Sequence, residues 1–370
     1  MHLRHSLAFL ILVPLLLTGC NREEQISSTK NVRGDVPIRI GVRAPLTGDL
    51  ALYGEHMRNG MELAKKDLLA VDSSRHIELI FEDACFPQDT ISATRKMVQI
   101  NDVTMIGGSF CLFGHVPILP FTEENKIIAF NTAANPDDVL NKRYAFSTNF
   151  SIKENAEELA RFAYKDIGAR RAAIMHLQTP FGEDYKKYIT QSFERLGGSI
   201  VATEARAPDA RDFRTEVTKM KAADPDLIFT IHFASPLGIF LKQSREAGID
   251  AKMLGYYENE DPTTVRASQG AAEGLIFSSS PIDSVFMKQY RSVYNDDPDV
   301  LAANAYDALM LQVMVYEKCG KDVDCMAEEL HDVRGYKGVS GTITINSDGS
   351  ASKPTIFKVV RGGKFLPYQP

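Results

Sequence analysis

The sequence predicts an α/β protein made of two doubly wound units joined by several crossings. Three observations lead there. Short β-type runs alternate with helical stretches, which is the signature of parallel sheets covered on both faces. The alternation runs through twice with the same rhythm. At 370 residues the chain also exceeds what one core usually supports.

The elements follow in order. Ile38-Arg-Ile-Gly-Val42 is a strand, and a helix follows with Met57, Gly60, Met61, Leu63 and Ala64 at helical spacing. Ile77–Phe81 is a strand, 90–100 a helix, Val103–Gly107 a strand, Pro117–Glu124 a short helix and Lys126–Phe130 a strand. The second round has a helix over 152–166, then a strand over Arg171–His176. Asp184–Leu196 is helical, Ser199–Thr203 a strand, Phe213–Ala223 helical, Asp226–Ile231 a strand and Leu237–Ala247 helical. Strands at Lys252–Gly255 and Gly274–Phe277 close the round. Helices at 283–295, 300–317 and 323–333 come late. The chain ends on two alternating runs, Thr342–Ile345 and Thr355–Val360, with Asp348-Gly349 between them, which predicts a hairpin.

The first residues speak of export. Arg4 precedes an apolar run from Leu7 to Leu17, too short for the ~20 residues of a membrane-spanning helix. The run ends Leu17-Thr-Gly-Cys20, which resembles the lipobox of bacterial lipoproteins. That resemblance implies a signal peptide over 1–19 and acylation of Cys20, anchoring the chain to a bacterial membrane that faces the periplasm or cell exterior. Residues 20–36 are polar and read as a tether.

Composition narrows the classes further. A hydrophobic fraction of 44% and a charged fraction of 24% are those of a soluble globular protein. A net charge of −6 argues against nucleic acid as a partner, since a phosphate backbone calls for a basic face. With Cys20 given to lipid, Cys85, Cys111, Cys319 and Cys325 remain. An even number in an exported chain favours disulfides. Cys319 and Cys325 are near neighbours and pair, which leaves Cys85 with Cys111. No CxxC-like pair supports zinc.

Motifs for catalysis are lacking, and the chain reads as a non-enzyme without cofactor or metal. Gly362-Gly-Lys364 has neither the spacing nor the hydroxyl of a phosphate loop. Gly107-Gly-Ser-Phe-Cys111 misses the last glycine of a nucleophile elbow. Ser109 can instead sit at a strand's carboxyl end, where open α/β sheets bind ligands.

Several stretches in fixed order carry a family resemblance: Pro45-Leu-Thr-Gly48, Tyr53-Gly-Glu55, Phe81-Glu-Asp-Ala-Cys85, Ile106-Gly107, Asn131-Thr-Ala-Ala-Asn135, Thr179-Pro-Phe-Gly-Glu183, Asp212-Phe213 and Ala272-Glu-Gly274. From about Ile38 to Phe365 the chain resembles the branched-chain amino-acid binding proteins of ABC importers. The resemblance implies the type I periplasmic-binding fold, with three hinge crossings and a ligand cleft between the lobes. It implies a first lobe of 37–149 plus 278–338 and a second of 150–277 plus 339–370. Cys85 and Cys111 look like the family's first-lobe disulfide.

The implied site holds Tyr53 as a cleft aromatic, and Ala133, Ala134 and Asn135 as the loop meeting the ligand's carboxylate and ammonium. Phe181 and Phe233 are the second-lobe aromatics. Five positions depart from the family's pattern. Leu112 stands where a serine follows the second cysteine. Asn135 replaces threonine or serine. Phe181 and Phe233 replace tyrosines. Tyr257 falls where the ammonium-binding acid is expected, with Glu258 beside it. A site made less polar suits an amide, an aromatic or keto acid, or a larger apolar molecule as well as an amino acid. The implied partners are that small molecule and a membrane permease. The alternative is a sensor or regulatory lipoprotein of the same fold.

Overall fold

The computed structural model describes residues 37–109, 111–133, 135 and 137–369. Residues 1–36, on which the expected signal peptide, the tether and the acylated Cys20 fall, and Ala134 lie outside the described residues. Two parallel sheets dominate. The first holds β1 (Ile38–Ala44), β2 (Ile77–Asp83), β3 (Met105–Gly107), β4 (Ile128–Asn131) and β5 (Ala145–Ser147), in the order β2-β1-β3-β4-β5. Its helices are α1 (Ala51–Val71), α2 (Pro87–Gln99), α3 (Leu112–His115) and α4 (Leu119–Glu124).

After α5 (Ile152–Phe162) come β6 (Arg171–Leu177), α6 (Pro180–Arg195), β7 (Ser199–Arg206), α7 (Arg214–Ala223), β8 (Leu227–Ile231), α8 (Ala234–Glu246), β9 (Lys252–Gly255), α9 (Pro262–Ser268) and β10 (Ile276–Ser279). Their strand order, β7-β6-β8-β9-β10, repeats that of the first sheet. In both, the winding reverses next to the first strand, and such a switch point leaves a crevice at the strands' carboxyl ends.

The late helices are α10 (Ser284–Tyr294), α11 (Val300–Cys319) and α12 (Val323–His331). α11 packs along α1. It is buried at Leu301, Ala305, Ala308, Leu309 and Leu311, among others, and so belongs to the first sheet's core. The chain then forms β11 (Tyr336–Gly338), β12 (Gly341–Ile345) and β13 (Ala351–Ser352), a small antiparallel sheet. It ends with β14 (Ile356–Arg361) and β15 (Lys364–Pro367).

The expected terminal hairpin is corrected here. β12 turns at Asp348-Gly349 but pairs with the two-residue β13. The run over 355–360 pairs antiparallel with β10 and with β15 instead. A free sheet edge at β10 supplies more ladder hydrogen bonds than β12 could. Gly362 and Gly363, both at positive φ, make the turn that adds β15.

The chain passes between the two main sheets three times, at 148–151, 280–283 and 353–355. Two disulfides are present, Cys85–Cys111 and Cys319–Cys325. No helix among the described residues is long and apolar enough to cross a membrane.

Candidate ligand cleft

Each unit opens with the same device. A strand ends, a short loop follows, and a helix starts with aromatic-Gly-Glu: Tyr53-Gly54-Glu55 after β1, and Phe181-Gly182-Glu183 after β6. A Cβ on Gly54 would stand 1.8 Å from the Pro45 carbonyl oxygen, and one on Gly182 2.0 Å from that of Leu177. Only glycine lets each helix lie this close to its strand. The aromatic before it is thereby set at the crevice.

On the first sheet's side the loops after β3 and β4 are bound together. The Ser109 carbonyl accepts from the Thr132 amide and hydroxyl, both at 3.2 Å. Ser109 itself is buried, and its hydroxyl donates to the Cys111 carbonyl at 3.4 Å. The Cys85–Cys111 disulfide ties the same loop down, and half-buried Leu112 begins α3 just beyond. In the β4 loop, Asn131 folds back over its own turn. Its Oδ1 accepts the Ala133 amide at 2.9 Å and its Nδ2 donates to Asn135 Oδ1 at 2.8 Å. Asn135 is fixed again through its backbone to Phe150 and Ile152. Ala133 and Asn135 are therefore held from below, as a rigid shelf.

The second side is aromatic. Half-buried Phe181 has its ring 5.0 Å from Tyr185 and 5.6 Å from Tyr256. Tyr257 lies edge-on to Phe150 at 5.9 Å, joining this cluster to the first crossing. Between these rings sits Glu258, 8% exposed. The Tyr256 hydroxyl donates to its Oε2 at 2.7 Å and that of Tyr257 to its Oε1 at 3.0 Å. Burial pushes the carboxyl up to about 7; the two phenols oppose this and Asp261 adds to it. Phe233, after β8, is the N-cap residue of α8, with its amide donating to His232 Nδ1 at 3.2 Å.

Side-chain bonds span the two sides: Asp137, just past the β4 loop, accepts the Tyr188 hydroxyl at 2.6 Å and Lys187 Nζ at 3.0 Å from α6, and a second link lies deeper. The Tyr53 hydroxyl, at the start of α1, donates to Asp261 Oδ2. Asp261 also caps α9, accepting the Thr263 amide at 2.6 Å through Oδ1. Burial, then the Asp261 charge, hold the Tyr53 phenol protonated, well above its usual range. The switch-point end of one sheet thus meets the loop after β9 of the other. Aromatic groups on one side and fixed polar groups on the other are the lining that small-molecule sites use. Among the described residues no cluster of His, Cys, Asp and Glu could hold a metal.

A sequence profile of the family described as periplasmic binding protein matches residues 37–364. The chain belongs to that family. The leucine-, isoleucine-, valine-, threonine- and alanine-binding protein of Pseudomonas aeruginosa is 23% identical over 306 residues, covering 79% of this chain and 82% of that one. Among solved structures, a leucine-binding protein from Thermotoga maritima superposes with a TM-score of 0.82 at 23% identity, over 90% of this chain and 98% of that one. A solute-binding protein from R. palustris in complex with benzoate superposes with 0.79 at 18% identity, over 90% and 95%. The family's location is extracytoplasmic, and the two-lobed fold expected from the residues is the one observed.

In the structure the expected site residues among those described all follow the carboxyl ends of strands in the two sheets. Tyr53, Ser109, Leu112, Ala133 and Asn135 come from one side, and Phe181, Tyr257 and Glu258 from the other. Sequence reasoning missed Asp261, Tyr256, Phe150 and Asn131. Asp261-Pro262 is a helix-start signal that could have placed α9. Nothing local points from Asp261 to Tyr53, 208 residues away.

Proposed function

We propose that this protein is the solute-binding lipoprotein of an ABC importer, capturing an amino acid or a similar small acid by hinge closure. The observation that carries this reading is the Tyr53–Asp261 bond, which joins the start of α1 in the first unit to the loop after β9 in the second. In the proposed cycle, residues 37–149 with 278–338 and residues 150–277 with 339–370 act as the two lobes. The small β11–β12–β13 sheet lies at the 338 boundary, beside the last crossing. A solute favours the closed form by touching both lobes at once.

In this reading the loop of Ala133, Ala134 and Asn135 meets the solute's carboxylate and ammonium, and Leu112 gives that end an apolar neighbour. Tyr53, Phe181, Phe233 and Tyr257 wall the side chain. Glu258 is the group nearest in kind to an ammonium partner. Its two oxygens already accept phenols, so a zwitterion must compete with Tyr256 and Tyr257 for it. That similar structures include both a leucine-binding protein and a complex with benzoate supports testing both chemistries. Cys20 carries the lipid in this proposal, and the permease reads the closed shape. No enzymatic step is assigned.

The test is thermal unfolding of the chain from Asn21 onward against amino acids, amides and aromatic acids. A ligand bound only by the folded state stabilises it by about 2.7 kcal/mol at a hundred times Kd. A shift with leucine, isoleucine or valine assigns Glu258 to the ammonium. A shift with benzoate-like acids alone makes Leu112 and Tyr257 the selective positions. No shift across the panel overturns the importer reading in favour of a regulatory lipoprotein.

A further inference from the structure

The third crossing carries a lysine whose position its sequence does not announce. Lys353, between Ser352 and Pro354, turns its ammonium inward. Nζ donates to Asn304 Oδ1 on α11 and, at 3.3 Å, to the Ser340 hydroxyl. Each partner is itself tied to a different crossing. The Asn304 carbonyl accepts the Thr148 hydroxyl of the first crossing at 3.0 Å. Ser340 and Val339 donate their amides to Asp307, both at 2.8 Å, and the Val339 carbonyl accepts the Asp283 amide of the second crossing at 2.8 Å. All three crossings thus converge within two bonds or so of one ammonium.

The same asparagine reaches the ligand shelf. Asn304 Nδ2 donates to the Thr132 carbonyl at 2.9 Å, where Asn149 Nδ2 also donates at 3.2 Å. Thr132 lies between Asn131 and Ala133, the turn that holds the proposed carboxylate site. Lys353 also borders a cavity of about 360 Å³ lined by Phe150, Glu154, Asn155, Glu158, Ser352 and Thr355. The hinge therefore has room beside the lysine to change shape.

We propose that Lys353 is a positioning residue that locks the ligand-facing loop after β4 to the hinge, so that loop order and inter-lobe angle change together. The proposal rests on the hinge-closure reading above. Its chemistry is that of a part-buried cation among oxygen acceptors, which an apolar group cannot replace. Three acidic groups face this region: Asp307 on α11, and Glu154 and Glu158 on α5. Glu154 accepts the Ser352 hydroxyl at 2.8 Å, and Glu158 is engaged by Arg161. Burial lowers the ammonium to about 7, with Asp307 acting against it. Neutral pH thus lies where the lock changes charge.

The experiment compares the unsubstituted protein with Lys353→Met and Lys353→Arg, with exchange followed without solute and distances measured without solute and with leucine or benzoate as the solute. Backbone hydrogen exchange is followed at Ala133 and Asn135, with β7 amides as the control. Inter-lobe distances come from spin labels at Gln99→Cys and Lys219→Cys. In Lys353→Met, exchange at Ala133 and Asn135 is expected to rise about tenfold over any rise in β7, with a broader distance distribution. Lys353→Arg is expected to stay close to the unsubstituted chain. Between pH 6 and 9, with intrinsic exchange corrected, the unsubstituted loop is expected to lose protection while Lys353→Arg keeps it. If Lys353→Met does not fold, Ser340→Ala takes its place with an expected rise of about threefold. Equal exchange changes in the shelf and β7, or none, overturn the proposal. Distances that move with solute identically in all variants count against Lys353 alone. Distances that no solute or pH moves overturn hinge closure with it.

Discussion

The two rims of the crevice are built from different materials. The first is a shelf of amides and backbone groups: Asn131, Ala133 and Asn135, with the Cys85–Cys111 disulfide bracing the adjoining loop. The second is a cluster of rings around one buried carboxyl, with Phe181, Tyr185, Tyr256 and Tyr257 about Glu258. Yet both rims stand on the same strand order and open with the same aromatic-Gly-Glu start. In the proposed function the shared strand order sets where a solute sits, and the unlike loops decide what it can be. The first rim offers fixed dipoles whose strength is independent of pH. The second offers apolar area and one group whose charge is not fixed.

The largest expected difference between the rims is covalent. Closing a loop of 26 residues, as Cys85–Cys111 does, restrains the unfolded chain by about 3.5 kcal/mol in the loop-entropy treatment, against about 2 for the six-residue separation of Cys319–Cys325. The double substitution Cys85→Ala with Cys111→Ala is therefore expected to lower unfolding stability more than Cys319→Ala with Cys325→Ala. Urea titration measures both. It is also expected to loosen the 108–112 loop while leaving β6 to β9 protected in hydrogen exchange. Equal losses from the two pairs would show that the first rim needs no brace.

Protonation separates the two sides by pH window. Glu258, on the second, rises on folding from 4.5 to about 7. Between those values the native chain holds a proton that the unfolded chain has lost, so stability falls as pH climbs. His56 on α1 belongs to the first. Burial lowers it, but the carboxylates of Asp299 at 2.9 Å and Asp296 at 3.3 Å outweigh burial and bring it from 6.5 to about 9. Its contribution is full below 6.5 and is lost as pH rises through 9. Stability relative to Glu258→Gln is expected to drop by about 2–3 kcal/mol from pH 4.5 to 7 and then stay level. Stability relative to His56→Gln is expected to hold to 6.5 and drop by a similar amount towards 9. Drops in one shared window would mean that the two sides are not electrostatically distinct.

The Tyr53–Asp261 bond between the rims is worth less. Tyr53→Phe leaves Asp261 Oδ2 without its phenol but keeps the helix cap at Thr263. A loss of about 1–2 kcal/mol is expected from a hydrogen bond to a charged group. It is expected in the balance between open and closed forms, and so in solute affinity, with a much smaller effect on unfolding. Asp261→Asn retains an acceptor and is expected to fall between the two. If Tyr53→Phe lowers unfolding stability as much as affinity, the phenol is a core group and not a clasp.

These contrasts were unequally legible. The alternation of strands and helices is local, and so the two units, the late helices and the aromatic-Gly-Glu starts could be read directly. Strand pairing is not local. Thr355–Val360 looks like the partner of Thr342–Ile345 because Asp348-Gly349 lies between them, but the open edge of β10 captures it. The site divides in the same way. Tyr53, Ala133, Asn135 and Phe181 sit where helix starts and strand ends put them. The partner of Tyr53 lies 208 residues on. Tyr256 and Tyr257 are neighbours of Glu258 in sequence, but that both phenols turn onto its carboxylate depends on packing against Tyr185 and Phe150. Lys353 reads as an ordinary polar residue before a proline. Its partners Asn304 and Ser340 come from elements whose placement only the fold decides.

The smallest expected effect tests whether the second rim is a wall or part of the core. Phe181 stands where the resembling family carries tyrosine. Its ring touches Tyr185 and Tyr256, whose hydroxyls are committed to Asn155, at 2.9 Å, and to Glu258. A hydroxyl added by Phe181→Tyr finds no free partner within the cluster, and the residue is only half-buried. If the ring's far edge faces the crevice, water satisfies the new group and stability changes by less than about 0.5 kcal/mol. Affinity then becomes the informative quantity, because the hydroxyl meets the solute. A solute with an acceptor at that edge is expected to gain up to about fivefold, and a purely apolar one to lose. A stability loss above about 2 kcal/mol would place the ring edge in the core, where an unsatisfied hydroxyl costs that much. The second rim would then select its solute through Tyr257 and Glu258 alone.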